Sequence, residues 1–208
     1  MGTEVDTVNT ITCHLGGSSS VSAIRAGVAI ENSFGFTGQT GVPLSYRSSD
    51  MDPFIIPFLV SRGEGDVEHI TNRMMTDAGL AAISGIGFDF RDLEKAAKEG
   101  HERAQLAIDV FVHGVRKYIG AYMIELGHVD AIAIAGGTGE ASSYVRRLIL
   151  KGLEEFGIVL HNDRNQACSR QEARISSDDS RVQVWVAPTN EEIVVAREVY
   201  NLLRGDAA

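Results

Sequence analysis

The 208-residue sequence has little cysteine, a deficit of positive charge and no long apolar run. Its two cysteines, Cys13 and Cys168, are far apart and lack metal-ligand spacing. They read as reduced core or surface thiols rather than as a disulfide. Lys and Arg total 19 against 28 Asp and Glu, a net charge of −9 with a pI near 5.1. That deficit argues against nucleic acid and anionic membrane surfaces as partners. It leaves a nucleotide open, because local N–H groups and a few arginines hold a phosphate whatever the overall charge. No apolar run is long enough to span a membrane and no signal-peptide pattern opens the chain, so a soluble cytoplasmic protein is expected. Internal repeats and low-complexity segments are also missing. What remains is an ordinary globular composition, 44% hydrophobic, with enough apolar residues for a sizeable core.

The stretch with most chemical content is Val129-Asp-Ala-Ile-Ala-Ile-Ala-Gly-Gly-Thr-Gly-Glu140, with the segment after it. Residues 131–135 form a short apolar run suited to the middle of a sheet. Gly136, Gly137 and Gly139 let the backbone turn sharply and approach a neighbour closely. Ser142 or Ser143 can cap the helix that follows. A helix start at a strand end offers free N–H groups and a partial positive charge, which suits a phosphate. A tight turn without a ligand fits the same residues, so the motif alone does not decide.

Residues 7–14, 21–25 and 28–33 are rich in β-formers and are separated by Gly16-Gly17 and Ala26-Gly27. This predicts an antiparallel three-stranded meander. Residues 34–49 read as a long loop, a frequent place for function. Asp52-Pro53 predicts a helix start, and residues 66–78 a second helix stopped by Gly79. Residues 80–90 are apolar and carry no assigned element. A short helix after Asp89 ends near Gly100. Ala104, Ile108, Phe111, Val115, Ile119, Tyr122 and Leu126 keep helical spacing for six turns and define one buried stripe. Gly114 and Gly120 in that helix allow another element to pack closely. Residues 158–160 read as a strand, 162–174 as a polar loop and 181–187 as a strand with Val182, Val184 and Val186 on one face. Thr189 and Glu192 fit a capping box, and Ile193, Ala196, Val199 or Tyr200, and Leu203 predict a last helix packed inward. The order predicts an α/β fold: a mixed sheet, antiparallel meander plus parallel strands, flanked by helices.

Several segments, in one order, resemble the acetate kinase (acetate/propionate kinase, acetokinase) family. They are Ile11-Thr-Cys-His-Leu-Gly16, Gly35-Phe-Thr37, Arg47-x-x-Asp50-x-Asp52-Pro53, Ile83-Ser-Gly85 and Asp89-Phe-Arg-Asp-Leu93. Lys117-Tyr-Ile-Gly-Ala121, Val129-Asp-Ala131, Gly136-Gly-Thr-Gly-Glu140 and Pro188-Thr-Asn-Glu-Glu192 complete the set. The resemblance covers nearly the whole chain but only the family's C-terminal half. It implies a single domain over residues 1–208, one ribonuclease-H-like lobe of the acetate and sugar kinase–actin superfamily, without the N-terminal catalytic half.

By that resemblance, His14, Leu15, Gly16, Gly17 and Ser18 stand where the family has a His-Leu-Gly-Asn-Gly phosphate loop. Gly17 replaces the asparagine and Ser18 the second glycine. Arg47 stands where the family has an arginine on the transferring phosphoryl group, for which a guanidinium fork is suited. Pairing with Asp50 or Asp52 is the plain alternative. Ser45 and Tyr46 replace a glycine and a threonine. Arg47 and His14 are thus the expected catalytic residues. Asp89, Phe90 and Arg91 match an adenosine-contacting triplet and also suit a helix cap with a buried ring. Gly137, Thr138, Gly139 and Glu140 match the adenosine loop, where Ala141 replaces an asparagine. Glu191 matches a magnesium-associated glutamate, a capping box accounting for Glu192. The resemblance implies ATP/ADP, Mg²⁺ and a homodimer. The implied reaction is acetate + ATP to acetyl phosphate + ADP, this chain supplying the nucleotide-binding half. A short-chain carboxylate enters only if an N-terminal half is present. The competing expectation is an inactive nucleotide-binding or dimerisation module with a degenerate site.

Overall fold

A computed structural model describes residues 2–204, with the backbone alone of Glu191. Strands β1 (Asn9–Leu15), β2 (Ser19–Arg25) and β3 (Val28–Asn32) pair antiparallel as the expected meander. The β2–β3 turn uses Ala26 and Gly27 at φ 49° and 78°. Two successive left-handed residues are what a two-residue hairpin needs to match strand twist. Next come helices α1 (Ile55–Ser61), α2 (Val67–Thr76), α3 (Gly79–Ser84), α4 (Phe90–Lys98) and α5 (Glu102–Leu126). The chain continues through β4 (Ala131–Ala135), α6 (Gly136–Ala141), α7 (Ser143–Leu150), α8 (Asn162–Ala167), β5 (Ala173–Arg174), β6 (Gln183–Val186) and α9 (Glu191–Arg204). The six-stranded sheet has the order β3-β2-β1-β4-β6-β5. β4 lies parallel to both β1 and β6, and β5 is antiparallel to β6. This is the predicted mixed sheet with flanking helices.

All seven stripe residues of α5 are buried. They meet Ile11, Cys13 and Leu15 of β1 and Val21 and Ala23 of β2 in one apolar core. Strict alternation along β1 makes this possible, since every second side chain points to α5. Each fully buried aliphatic side chain stabilises by about 1.5–3 kcal/mol, so α5 against the sheet is the main source of cohesion. Burial pushes the Cys13 thiol up to about 12.

Several expectations need correction. Gly79 does not stop α2 but opens α3, inside the segment left unassigned. It sits at φ 65°, and a Cβ there would lie 2.2 Å from the Leu44 carbonyl oxygen. Residues 158–160 contribute one bridge, Leu160 to Ser176, rather than a strand. The polar segment after them holds α8 and β5. Gly114 does admit another element closely, Pro43 of its own chain, where a Cβ would meet Cδ at 2.7 Å, whereas Gly120 faces open space. Helix α9 is capped by Asn190, whose Oδ1 accepts from Ile193 N at 3.1 Å, not by Thr189. Its apolar residues do not turn inward, with exposures running from 42% at Ile193 to 83% at Leu203. None of its described side chains belongs to the apolar core that α5 forms with the sheet. No helix among the described residues is long and apolar enough to cross a membrane.

Candidate nucleotide-binding cleft

β1, β4 and β6 are parallel neighbours, so the turns after them emerge at one edge of the sheet. Open α/β sheets bind ligands at that edge. His14 is in register with Ala135, which sets residues 16–18 beside Gly136 and Gly137. The approach is tight, since a Cβ on Gly136 would lie 2.7 Å from the Leu15 carbonyl oxygen. The turn after β6, residues 188–190, completes the edge. The glycine segment is not a bare turn: residues 136–141 are themselves helical, and Ser142 then caps α7 by accepting from Val145 N at 3.0 Å.

Two adjoining hollows share Gly16, Gly17 and Gly137. The first, about 370 Å³, is walled by Asp89, Phe90 and Arg91 on one side and by Thr138, Ala141 and Ser142 on the other. Its volume suits a small-molecule ligand. The second is bounded by His14, Ser18, Gly136, Thr189, Asn190 and Glu192. Arg47 borders a third recess with Ser45, Tyr46 and Phe88, which also reaches Gly17. The fold therefore brings His14, Gly16, Gly17, Ser18, Asp89, Phe90, Arg91, Gly137, Thr138 and Ala141 to one continuous cleft, with Arg47 at its margin.

Three expected residues do not line it. Leu15 is fully buried in the core. Gly139 is buried, and a Cβ there would lie 2.8 Å from Ile134 Cγ2. The Glu140 carboxylate is used internally, Oε1 accepting from Gly136 N at 3.0 Å and Thr189 N at 3.1 Å. It staples the start of α6 to the turn after β6. The Glu191 side chain lies outside the described residues. Glu192 faces the polar hollow instead. No group of three His, Cys, Asp or Glu able to hold a metal occurs among the described residues. A lone carboxylate oxygen is the right donor type for Mg²⁺ but too little for a protein cage. It fits an ion that keeps most of its ligands as water and phosphate.

Asp89 caps α4 by accepting from Arg91 N at 2.9 Å and also takes Arg91 Nε at 3.0 Å. Phe90 turns inward onto Phe111, ring centroids 4.7 Å apart. The helix cap with an inward ring is present, and the same three residues line the cleft. The Arg91 hydrogen bonds hold the Asp89 carboxyl below the usual carboxylate range. With Arg91 84% exposed, that pair aims a guanidinium more than it stabilises the fold.

Arg47 is not paired with either nearby aspartate. Asp52 accepts from Phe54 N at 2.9 Å. Asp50 accepts from Lys117 Nζ and Tyr118 Oη, each at 2.7 Å, and from Gly41 N at 2.8 Å. The Arg47 side chain makes no hydrogen bond or ion pair among the described residues. Tyr46 packs edge-on against Phe88 at 5.0 Å, beside the main cleft rather than in it.

The Asp50 cluster ties the Arg47 loop to α5. Burial alone would raise the Asp50 carboxyl, but Lys117, the Gly41 amide and Tyr118 outweigh it and leave it below 3.8. A carboxyl lowered on folding stabilises above its unfolded value, and that contribution is lost as pH falls through the lowered folded value. Asp50→Asn is therefore expected to unfold at lower denaturant than the wild type at pH 7, with the gap closing towards pH 3. A constant gap across urea titrations at both pH values would contradict this.

The sequence reading passed over three residues of this region: Glu94, hydrogen-bonded to Ser142, Arg146 and Arg170. Only tertiary placement distinguishes them from surface charges, and no local pattern marks them.

The family pattern described as the acetokinase family matches residues 1–197. The chain belongs to the acetokinase family. It is 45% identical over 197 residues to the acetate kinase of Finegoldia magna, covering 95% of this chain and 50% of that protein. It is 39% identical over 207 residues to the acetate kinase of Methanosarcina barkeri, covering 100% and 50% respectively. Among solved structures, Porphyromonas gingivalis acetate kinase superposes with a TM-score of 0.89 at 34% identity, over 95% of this chain and 50% of that one. A Francisella tularensis propionate kinase superposes at 0.84 and 33%, over 91% and 48%. The acetokinase chain here thus spans about half the length of the relatives it matches.

Proposed function

We propose that this chain is the nucleotide-binding half of an acetate-kinase-type phosphotransferase, corresponding to the family's C-terminal half. The reaction is transfer of a phosphoryl group between ATP and a short-chain carboxylate, acetate + ATP ⇌ acetyl phosphate + ADP, once a second half supplies the acyl site. The observation that carries this reading is the convergence of the turns after β1, β4 and β6 beside the Asp89–Arg91 wall, with Arg47 unpaired among the described residues at its margin. The Gly16 and Gly136 amides are taken by Ser19 Oγ and Glu140 Oε1, so the backbone N–H groups of Gly17, Ser18 and Gly137 are the ones that suit phosphate oxygens. Arg91 suits the nucleoside, and Arg47 the charge on a transferring phosphoryl group. Mg²⁺, held by phosphates and one carboxylate of the Pro188-Thr-Asn-Glu-Glu192 turn, supplies charge neutralisation when bound. An exposed edge strand supports a homodimer: β3 carries Val28 and Ile30, and Phe34 and Phe36 follow it in the open.

Calorimetry with ADP and Mg²⁺ tests the binding half of the proposal. The wild type is expected to bind, and Arg91→Ala to bind about tenfold more weakly at unchanged melting temperature, the loss of one cation–π contact. No wild-type binding at millimolar ADP would overturn the nucleotide reading. Hydroxamate detection of acetyl phosphate, for this chain alone and mixed with a family N-terminal half, tests turnover. Turnover in neither, with ADP binding intact, leaves the second reading, a nucleotide-binding or dimerisation module. That reading is favoured by Gly17, Ser18, Tyr46 and Ala141, which depart from the family's motifs around the cleft. Sedimentation as a monomer would remove the dimer from either reading.

A further inference from the structure

Arg170 departs from the behaviour of its neighbours in two respects. Its backbone sits at φ 50°, in the left-handed region that a residue with a Cβ enters at an energetic cost. Among the described non-glycine residues only Ala26, in a hairpin turn, shares that region. Strained backbone of this kind persists where the surrounding structure imposes it, and it clusters at ligand sites. Here the Arg170 N–H donates to the Glu140 carbonyl at 3.1 Å, which pins the turn against the end of α6. The side chain then lines the main hollow with Glu94, Ala141 and Ser142. It is exposed and makes no hydrogen bond or ion pair among the described residues. Nearby Arg146, Arg164 and Arg174 all have such partners.

Position along the cleft says what Arg170 meets. Helix α6 starts beside Leu15 and the Gly16 turn, the phosphate-facing end, and runs to Ala141. At about 1.5 Å per residue its far end lies roughly 7 Å away, where the base of a nucleotide falls if its phosphates sit on the turns. At that end Ala141 offers only a methyl group. The Ser142 hydroxyl and the Glu94 carboxylate are bonded to each other. The free planar group there is the Arg170 guanidinium.

We propose that Arg170 stacks its guanidinium on the nucleobase of the bound nucleotide, its left-handed backbone turning the side chain over the cleft. This rests on the nucleotide reading above and adds a second guanidinium, besides Arg91, to the base. Stacking of a guanidinium on a ring uses the π-face that every base has, so the contact is tolerant of base identity.

Displacement of a fluorescent ADP analogue by ADP and by adenosine, with wild type and Arg170→Gly, tests the proposal. Glycine adopts φ 50° freely, so this variant removes the side chain while relieving strain. Its melting temperature is expected to equal or exceed that of the wild type. ADP and adenosine are both expected to weaken about tenfold, the size of a desolvated cation–π contact. Loss for ADP but not adenosine would place Arg170 on a phosphate and overturn the stacking. Unchanged displacement by both would overturn any role for Arg170 while leaving the nucleotide reading intact. A wild type that binds no analogue overturns both.

Discussion

Arg146→Ala is expected to lower the free energy of unfolding by about 3–5 kcal/mol. The Arg146 side chain is completely buried. Its fork is fully used: Nε donates to Asn165 Oδ1 at 2.8 Å, Nη1 to the Gly139 and Glu140 carbonyls at 2.8 and 2.9 Å, and Nη2 to the Asn165 and Cys168 carbonyls at 2.8 and 2.7 Å. Burial pulls the guanidinium below its ordinary value, yet Arg stays charged in proteins, and the negative ends of carbonyl dipoles compensate it. Truncation leaves those acceptors in the interior without donors, each costing about 1–3 kcal/mol less whatever water recovers. Four kcal/mol is a large share of a typical domain stability of about 5–15 kcal/mol. At roughly 2–4 °C per kcal/mol for a chain of this size, melting falls by about 8–16 °C. Arg146→Lys is expected to recover little, because three donors on a point charge cannot reproduce a five-donor fork. Since two acceptors belong to the last turn of α6, nucleotide affinity should fall with stability. A loss below about 1 kcal/mol in urea titrations would mean that water replaces the guanidinium without strain.

Gly136→Ala is expected to cost about 3–4 kcal/mol, while Gly137→Ala next to it costs almost nothing. Gly136 has φ 79°, and an added Cβ would lie 2.7–2.8 Å from the Leu15 carbonyl oxygen, carbonyl carbon and nitrogen. Left-handed strain contributes roughly 1–2 kcal/mol, and overpacking against backbone about 1–3. Those atoms are backbone of the last residue of β1, held in register with Ser19 of β2 and one residue beyond the pairing of His14 with Ala135 of β4, and cannot move aside cheaply. A Cβ on Gly137 would meet nothing within 4 Å, and alanine is the better helix former. The pair separates close backbone approach from mere glycine content. Equal urea midpoints for the two variants would contradict the geometry. Forcing β1 and β4 apart also separates the two phosphate-facing turns, so Gly136→Ala should lose ADP binding that Gly137→Ala retains in part.

The elements legible in the sequence were those set by local rules. The α5 stripe follows from spacing alone, since seven apolar residues on one face leave no alternative to burial. The meander follows from β-rich runs and from Ala26-Gly27. The motif order pointed to the family, and most of the residues it singled out meet at one sheet edge. What escaped were features fixed by distant contacts. Gly79 looked like a helix stop because a glycine after a helical run usually is one, but the approach of Leu44 makes it a helix start. Thr189 and Glu192 fit a capping box, yet the Glu140 carboxylate draws Thr189 away and leaves the cap to Asn190. Arg146 and Arg147 are adjacent and chemically equal in the sequence. Only the helical phase of α7 against α8 decides that the first is buried.

The burial of both thiols gives the molecule a built-in clock for its own opening. Cys13 lies under α5 in β1, and Cys168 is buried where its own carbonyl oxygen accepts from Arg146 Nη2. A thiol reagent reaches neither in the closed molecule, so alkylation proceeds only through excursions that part the structure. Modification at Cys13 then times separation of α5 from the sheet, and modification at Cys168 times loosening of the Arg146 hub. One chain thus reports separately on the two assemblies that hold its cleft in shape.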